Sequence, residues 1–289
     1  MHPALSLQLP LGEVGMKRVA TIVLNRNLPA VTDRLCEHLV HYDGDTTDVF
    51  VVEAGSDSER LSRYVTWHAD WPDARNHGLR YARGMNYGLS QLWKEGKFNQ
   101  YEAFFLLTND TELLNHPTLT PLMEIVDQHP RVGILSPCST RWGERLLLKD
   151  QTTKYFWFIH NNAYLIRRKF IESVFNEDRP DFMSFLFDGS NFRGFGAESE
   201  LIAKAYANDW AAAITAEVWA GENESYLLNQ ADLIKTEGYE QNLKLYVEEG
   251  RRWMRNKYGF NSRWSMQQYV KNFYDHFFEL HPEFISYRI

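Results

Sequence analysis

Hydrophobic residues in this chain gather in short unbroken runs, separated by stretches with a helical period. "RVATIVL" (Arg18 to Leu24), "DVFVVEA", "EAFFLLT" and "VGILSP" have the length and β-branched or aromatic content of strands buried on both faces. Between them the pattern turns helical around Val31 to Val40 and again in "MNYGLSQLWKEG". A third helix is expected where Thr120 caps and Pro121 takes the first helical position. Ser56 to Ser58 form a polar break, Asn76 to Gly88 is punctuated by Gly and Asn, and Pro137 closes the fourth strand. Such alternation predicts an α/β domain with a mostly parallel sheet and helices on both faces.

Beyond Ser139 the alternation weakens. "TRWGERLLLKDQTTKYFWF" predicts a long excursion or hairpin, and "NEDRPDFMSFLFDGSNFRGFG" a second irregular, aromatic-rich stretch. Long segments of this kind in a compact protein are often binding loops or lids. "FIHNNAYLIRRKFIESVF" reads as a strand leading into a helix, "AAAITAEVW" as a strand. "ESELIAKAYAND" sets Leu201, Ile202, Ala205 and Tyr206 on one helical face. After Ser225 the chain is helical, aromatic and mixed in charge, which divides it into a domain over 1–225 and a helical extension over 226–289 packed on it. No internal repeat or low-complexity tract is present.

In open α/β sheets, ligands bind outside the carboxyl ends of the strands. Polar residues stand at these ends here: Asn25 and Asn27 after the first strand, Glu53 after the second, Asn109 and Asp110 after the third. The plain reading of "TNDTEL" is a turn, because Asn and Asp side chains bond their own backbone. Its position at a strand end equally suits a site that holds something charged.

Composition narrows the function. With 289 residues, 44% hydrophobic and 15% aromatic, the chain can bury a large core, which argues against disorder. A formal net charge of -7 disfavours a general nucleic-acid binder, since phosphate attraction needs a basic face. Cys36 and Cys138, the two cysteines, give no disulfide framework and point to a reducing compartment. No stretch reaches the roughly 20 apolar residues that span a bilayer. The apolar run near the N-terminus is broken by Pro10 and has no basic segment before it, unlike a signal peptide. A cytoplasmic protein is the expectation.

Several stretches, in order, resemble the inverting family 2 glycosyltransferases of the GT-A fold. "ATIVLNRN" is similar to the family's opening strand, and "VFVVEAGSDSE" to its second strand with an acidic end. "RNHGLRYARGMNYGL" is similar to the Gly/Asn-rich lead into a helix, "FFLLTNDTEL" to the strand bearing an Asp-X-Asp-type signature, and "GFGAESEL" to a later acidic motif. The resemblance covers roughly Arg18 to Ser225. It implies a nucleotide-sugar donor, with UDP favoured as the nucleotide, a hydroxyl acceptor such as a glycan, and a divalent cation, Mn2+ or Mg2+. Polysaccharide assembly in bacteria is the usual setting of such relatives.

Carried over residue by residue, the resemblance makes Asp110 the metal ligand, with Asn109 and Glu112 as helpers, and makes Glu53 and Asn25 nucleoside contacts. Arg83 and Asn86 become donor-binding candidates, with Arg80 and Arg83 within reach of the diphosphate. The plainer reading of Asn86, Gly84 and Gly88 is helix start and packing, and that of the arginines is solvent exposure. Glu198 becomes the general base and Glu200 the second choice, although acids at a helix start also simply favour the helix dipole. Two departures stand out: the signature has one aspartate, and "VWAG" at Val218 to Gly221 lacks the metal-binding His many relatives carry there.

On the acceptor side, Trp142, Tyr155, Trp157, Phe192 and Arg193 lie in the irregular stretches, where an aromatic face stacks on a sugar or simply packs. His160 lies beside Asn161 and Asn162 in a similar stretch. The basic, aromatic tail suits a helical cap, a homodimer contact or a peripheral contact with an anionic membrane. Two other functions remain in view. A degenerate relative would bind nucleotide or glycan without turnover. A nucleotidyltransferase would need a Gly-rich basic loop after the first strand, which "LNRNLPA" does not supply.

Overall fold

The computed structural model describes residues 18–139, 145–148, 152–159, 163–175, 178, 180–223 and 225–289. Trp142, His160 and the N-terminal stretch with Pro10 lie outside the described residues. In chain order the elements are β1 (Val19–Asn25), α1 (Pro29–Asp43), β2 (Thr47–Glu53), β3 (Val65–His68), α2 (Pro72–His77) and α3 (Arg80–Lys94). Then come β4 (Ala103–Thr108), β5 (Thr111–Leu113), α4 (Leu119–Gln128), β6 (Val132–Ser139), α5 (Arg145–Leu148) and β7 (Thr153–Tyr155). β8 (Ala163–Arg167), α6 (Arg168–Val174), α7 (Ala197–Ala207) and β9 (Ala211–Glu222) follow. α8 (Ser225–Asn229), α9 (Tyr239–Tyr258) and α10 (Arg263–Leu280) complete the series.

The strands form a mixed sheet in the order β3-β2-β1-β4-β8-β6-β9-β5, with β7 also on β9. β3, β2, β1 and β4 run parallel, β8 is antiparallel to both its neighbours, and β6 and β9 are parallel. Chain order reverses at β1, which has β2 on one side and β4 on the other. That is the switch point where a crevice opens outside the strand ends. The unbroken runs behave as expected of strands covered on both faces: every residue of β1 and β6 is buried.

Two expected boundaries shift. α4 begins at Leu119, so Thr118 takes the position before it and Pro121 falls within the first turn, where its missing N–H costs nothing. Asp43 serves in place of a capping side chain, accepting from the N–H groups of Thr118 at 2.9 Å and Leu119 at 2.7 Å. β6 runs on past Pro137, because the ladder to β9 is irregular between Pro137 and Cys138 and the missing N–H breaks no regular pair.

The core is continuous from α1 through the sheet to α10, whose Val270, Tyr274 and Phe277 are buried in the same cluster as β1 and β4. Tyr155, read above as a candidate for sugar stacking, is instead a core residue: it is fully buried, stacks on Tyr287, and its hydroxyl meets His129 Nδ1 at 3.0 Å. Cys36 and Cys138 are both free and buried. Among the described residues no helix is long and apolar enough to cross a membrane.

α3 lies close on the sheet because its inner face is small. A Cβ at Gly88 would sit 2.9 Å from Ile22 Cγ2 and 3.1 Å from Val52 Cγ2, side chains of β1 and β2. Gly88→Ala is therefore expected to lose about 1–3 kcal/mol of stability by overpacking, despite the better helix propensity of Ala. Urea unfolding checks this; a variant as stable as the parent would show that α3 can move away freely.

Candidate functional site

The carboxyl ends of β1, β2 and β4 are joined by one buried set of hydrogen bonds. Glu53, fully buried, accepts from Asn25 Nδ2 at 2.8 Å, from Ser56 Oγ at 2.5 Å and from the Ser62 N–H at 2.7 Å. Asn25 Oδ1 in turn accepts from Asn109 Nδ2 at 2.8 Å and from the Leu28 N–H at 3.2 Å. Asn109 also donates to Thr32 Oγ1 at 3.1 Å, on α1. The structure thus brings together the polar strand ends singled out in the sequence. It also corrects the role expected of Glu53: both its oxygens are taken by protein donors and it does not line the crevice, so it shapes the site from behind.

In front of this set is a cavity of about 260 Å³. Asn25, Asn109 and Asp110 at the strand ends belong to its wall, together with Arg26, Arg80 and Thr236. A second cavity of about 440 Å³ adjoins it, and Asn109, Asp110 and Tyr226 belong to the walls of both. Asp110 stands in the link between β4 and β5. Its backbone is fixed there by the Asn223 N–H, which donates to its carbonyl at 2.9 Å from the end of β9. Glu112 faces the second cavity and accepts from Asn223 Nδ2 at 2.9 Å.

Arg26 is the unexpected part of this crevice, and Arg80, expected within reach of a diphosphate, lines it as well. Burial, and then the charge of Arg80, lower Arg26 to about 10; burial and then Arg193 lower Arg80. Both guanidinium groups belong to the cavity wall, Arg80 with Glu237 at 3.4 Å as its counter-charge. The Nε of each is buried with no hydrogen-bond partner among the described residues. Arg80 has φ +56° and Asn27, on the β1–α1 turn, φ +57°. Non-glycine residues held in that region are uncommon and cluster at functional sites. The segment after α8 covers the crevice: Asn27 Nδ2 donates to the Leu233 carbonyl at 2.8 Å, Arg80 to Thr236 Oγ1 at 2.8 Å, and Lys235 pairs with Asp57.

Two α3 candidates prove to be loop anchors rather than donor contacts. Asn86 is fully buried; its Oδ1 accepts from the N–H groups of Leu186 and Phe187, both at 2.9 Å, and its Nδ2 donates to the Phe187 carbonyl at 2.8 Å. Arg83 donates to the Gly189 carbonyl at 2.7 Å and lies over the Phe192 ring at 4.7 Å. Neither lines the crevice. Their side chains satisfy the backbone of the irregular stretch before α7, whose polar groups no helix or strand would otherwise pair. Phe192 is correspondingly enclosed by arginines, with Arg80 and Arg193 also near its ring. Arg193 is held by Glu237 at 2.6 Å and by Glu249.

That stretch delivers Gly196, at φ +83°, to the start of α7, where Glu198 and Glu200 diverge. Glu198 is 8% exposed, and burial raises its pKa above the ordinary carboxylate range, with Arg263 acting in the opposite sense. The Tyr81 hydroxyl, whose own pKa burial and then Glu198 raise, is buried beside it with no hydrogen-bond partner among the described residues. A carboxylate of raised pKa is a better proton acceptor when ionised. Glu200 is engaged elsewhere: its Oε1 lies 2.7 Å from Lys257 Nζ and accepts from the Tyr258 hydroxyl, and Lys257 also pairs with Asp188 at 2.5 Å. The second-choice base is thus tied into an ion cluster with α9. The reason is the helical period, which points residues two apart in different directions.

Among the described residues, no group of three His, Cys, Asp or Glu side chains gathers as a metal cage. Asp110 on the wall of both cavities fits a hard cation shared with a ligand's phosphates, the usual manner for Mg2+. It does not fit a cation held by protein groups alone.

No protein-family model matches the chain, and no curated protein matches it. Solved structures do. A GalNAc-T7 structure with UDP, GalNAc and Mn2+ aligns over 91% of this chain with a TM-score of 0.52 and 9% identity; this chain spans 57% of that one. TarS 1-349 of S. aureus aligns over 91% of this chain and 80% of its own, with a TM-score of 0.50 and 13% identity. The mannosyltransferase PcManGT of Pyrobaculum calidifontis, with GDP-Man and Mn2+, aligns over 82% of this chain and 70% of its own at a TM-score of 0.48 and 14% identity. The likeness is one of fold: the chain carries the GT-A fold, a mixed, mostly parallel sheet with helices.

The burial of Glu198 has a consequence for stability. Its folded pKa lies above the unfolded one, so the stability it contributes is present below the unfolded carboxyl pKa and is lost as pH rises through the folded value. Glu198→Gln, which stays neutral, is expected to melt at or above the parent temperature at pH 7, with the difference shrinking towards pH 4. Thermal unfolding at both pH values checks this. A variant several degrees less stable at pH 7 would mean that Glu198 is a structural residue.

Proposed function

We propose that this chain is a glycosyltransferase that moves a sugar from a nucleotide-sugar donor to a hydroxyl of a glycan acceptor with inversion. The observation that carries the reading is the crevice at the β1 switch point, where one carboxylate, Asp110, and two desolvated arginines, Arg26 and Arg80, share a cavity. A nucleoside diphosphate presents the complementary chemistry. Its phosphates are anions that arginine grips in pairs of hydrogen bonds, and its base and ribose need the polar floor that Asn25 and Asn109 supply. The two adjoining cavities provide separate room for the nucleoside and the sugar, with Asp110 between them.

In this scheme Glu53 and Asn25 hold the strand ends in register, and Asn109 carries that order to Asp110. Asp110 would hold Mn2+ or Mg2+ together with the donor's phosphates. Such a cation, when bound, offsets the charge that grows on the departing diphosphate. Arg26 and Arg80 add fixed positive charge at the same place without reorganising. Glu198 takes the proton from the acceptor hydroxyl as that oxygen attacks the anomeric carbon from the face opposite the leaving group. UDP is the favoured nucleotide, in keeping with the GalNAc-T7 structure, which holds UDP and Mn2+. A cytoplasmic location goes with this reading, because nucleotide sugars are supplied there.

Turnover of a panel of UDP- and GDP-sugars, with Mn2+, Mg2+ or chelator and candidate glycan acceptors, tests the reading. One donor is expected to be cleaved, with a loss of about 10²–10⁴-fold in Glu198→Gln and of at least about 10²-fold in Asp110→Ala. The parent rate should rise with pH through the raised Glu198 pKa. Undiminished turnover in both variants overturns the assignment. Donor binding without cleavage in any condition supports instead a catalytically silent relative that only binds.

A further inference from the structure

A groove of about 590 Å³ runs beside the start of α7, shares no wall residue with the β1 crevice, and is not used by the scheme above. Its walls are flat and apolar: Trp157, Phe158, Phe195 and Trp264 face it. Trp264 is 83% exposed and joins the other rings of the groove in one accessible apolar patch. The groove borders the proposed base on three counts. Phe195 leads directly into the Gly196 turn before Glu198. Gln267, another wall residue, donates to Ser199 Oγ at 2.8 Å. Arg263, also in the wall, is close enough for its charge to favour ionised Glu198.

The polar groups of the groove are mainly two arginines, Arg251 and Arg263. The Arg263 guanidinium lies over Phe158, 4.8 Å from the ring centroid, and over Phe195 at 5.6 Å, which holds its charge against the aromatic wall. Neither forms an ion pair among the described residues, whereas buried Arg193 takes two glutamates. In a chain with a net charge of -7, two such cations on an aromatic groove are a local reversal of sign.

We propose that this groove receives the acceptor, and that the acceptor is an acidic glycan. The apolar C–H face of a pyranose ring lies against the exposed Trp264, while a carboxylate or phosphate on the sugar is gripped by Arg251 and Arg263. This deepens the glycosyltransferase reading and rests on it for the word acceptor. The binding itself does not depend on turnover. A purely hydrocarbon occupant would use the walls and leave both cations without a purpose. A neutral glycan would do the same.

Ligand-observed NMR titration of the whole protein, without donor, separates these cases. The probes are maltotriose, trigalacturonate and maltotriose carrying a 6-phosphate, each at low and high salt, with phosphatidylglycerol vesicles as a separate arm. At low salt one or both acidic sugars should bind about ten-fold more tightly than maltotriose, and which one does so tells carboxylate from phosphate. The preference should shrink at high salt and vanish in the Arg251→Gln/Arg263→Gln double variant. Trp264→Ala, an exposed change that leaves the fold intact, should weaken all three sugars. Equal affinity for neutral and acidic sugars, a preference that survives the double variant, or no sugar binding at millimolar concentration overturns the proposal. So does vesicle binding through the two arginines with no acidic sugar bound. Acidic-sugar binding in a protein that cleaves no donor would sink the enzymatic reading and leave this groove standing.

Discussion

The constraint on which the site depends is the burial of the Glu53 carboxyl at the end of β2. A group so placed costs several kcal/mol unless its oxygens are met by donors, and here Asn25, Ser56 and the Ser62 backbone meet them. Satisfying Glu53 fixes the end of β1 against β2. The amide of Asn25, with one atom on Glu53, has its other atom on Asn109, so the same requirement reaches β4. Asp110 is the next residue. Its place on the wall of two cavities is thus inherited from a buried polar network one strand away.

A second network does for Glu198 what the first does for Asp110. The stretch from Asp181 to Phe195 contains no helix or strand of its own, and Asn86 satisfies its backbone at Leu186 and Phe187. Arg83 holds Gly189, and the Lys257 cluster holds Asp188 and Glu200. Loop order of this kind leaves Glu198 buried beside the Tyr81 hydroxyl and within reach of the Arg263 charge, while Glu200 is paired with Lys257. The two carboxyls differ in what surrounds each: one has its pKa raised by burial, the other is held in an ion cluster.

Much of the sheet was legible in the sequence because its strands are buried on both faces and read as unbroken apolar runs. β3 and β5 were not legible: "VTWH" is short with exposed positions, and "TEL" hides in what reads as a turn. The site was legible as a location, through Asn25, Asn109 and Asp110 at strand ends, but less so as chemistry. Glu53 and Asn86 carry the residue types of ligands, and only three-dimensional packing shows their atoms spent on the protein itself. Arg26 sits in plain view in "LNRN", directly after a strand, and was the signal to follow. Tyr226 and Thr236 gave none, because they reach the crevice from a segment some two hundred residues from β1 along the chain, which no local pattern records.

The most direct test of the account is the binding of UDP and GDP themselves to the unmodified protein, measured by calorimetry with and without Mn2+. The crevice of Asp110, Arg26 and Arg80 predicts saturable one-to-one binding of a nucleoside diphosphate, tightened by the cation and far weaker for the nucleoside alone. Failure of both diphosphates to bind, or equal binding of the nucleoside, would contradict the claim that this strand end was built to hold a diphosphate.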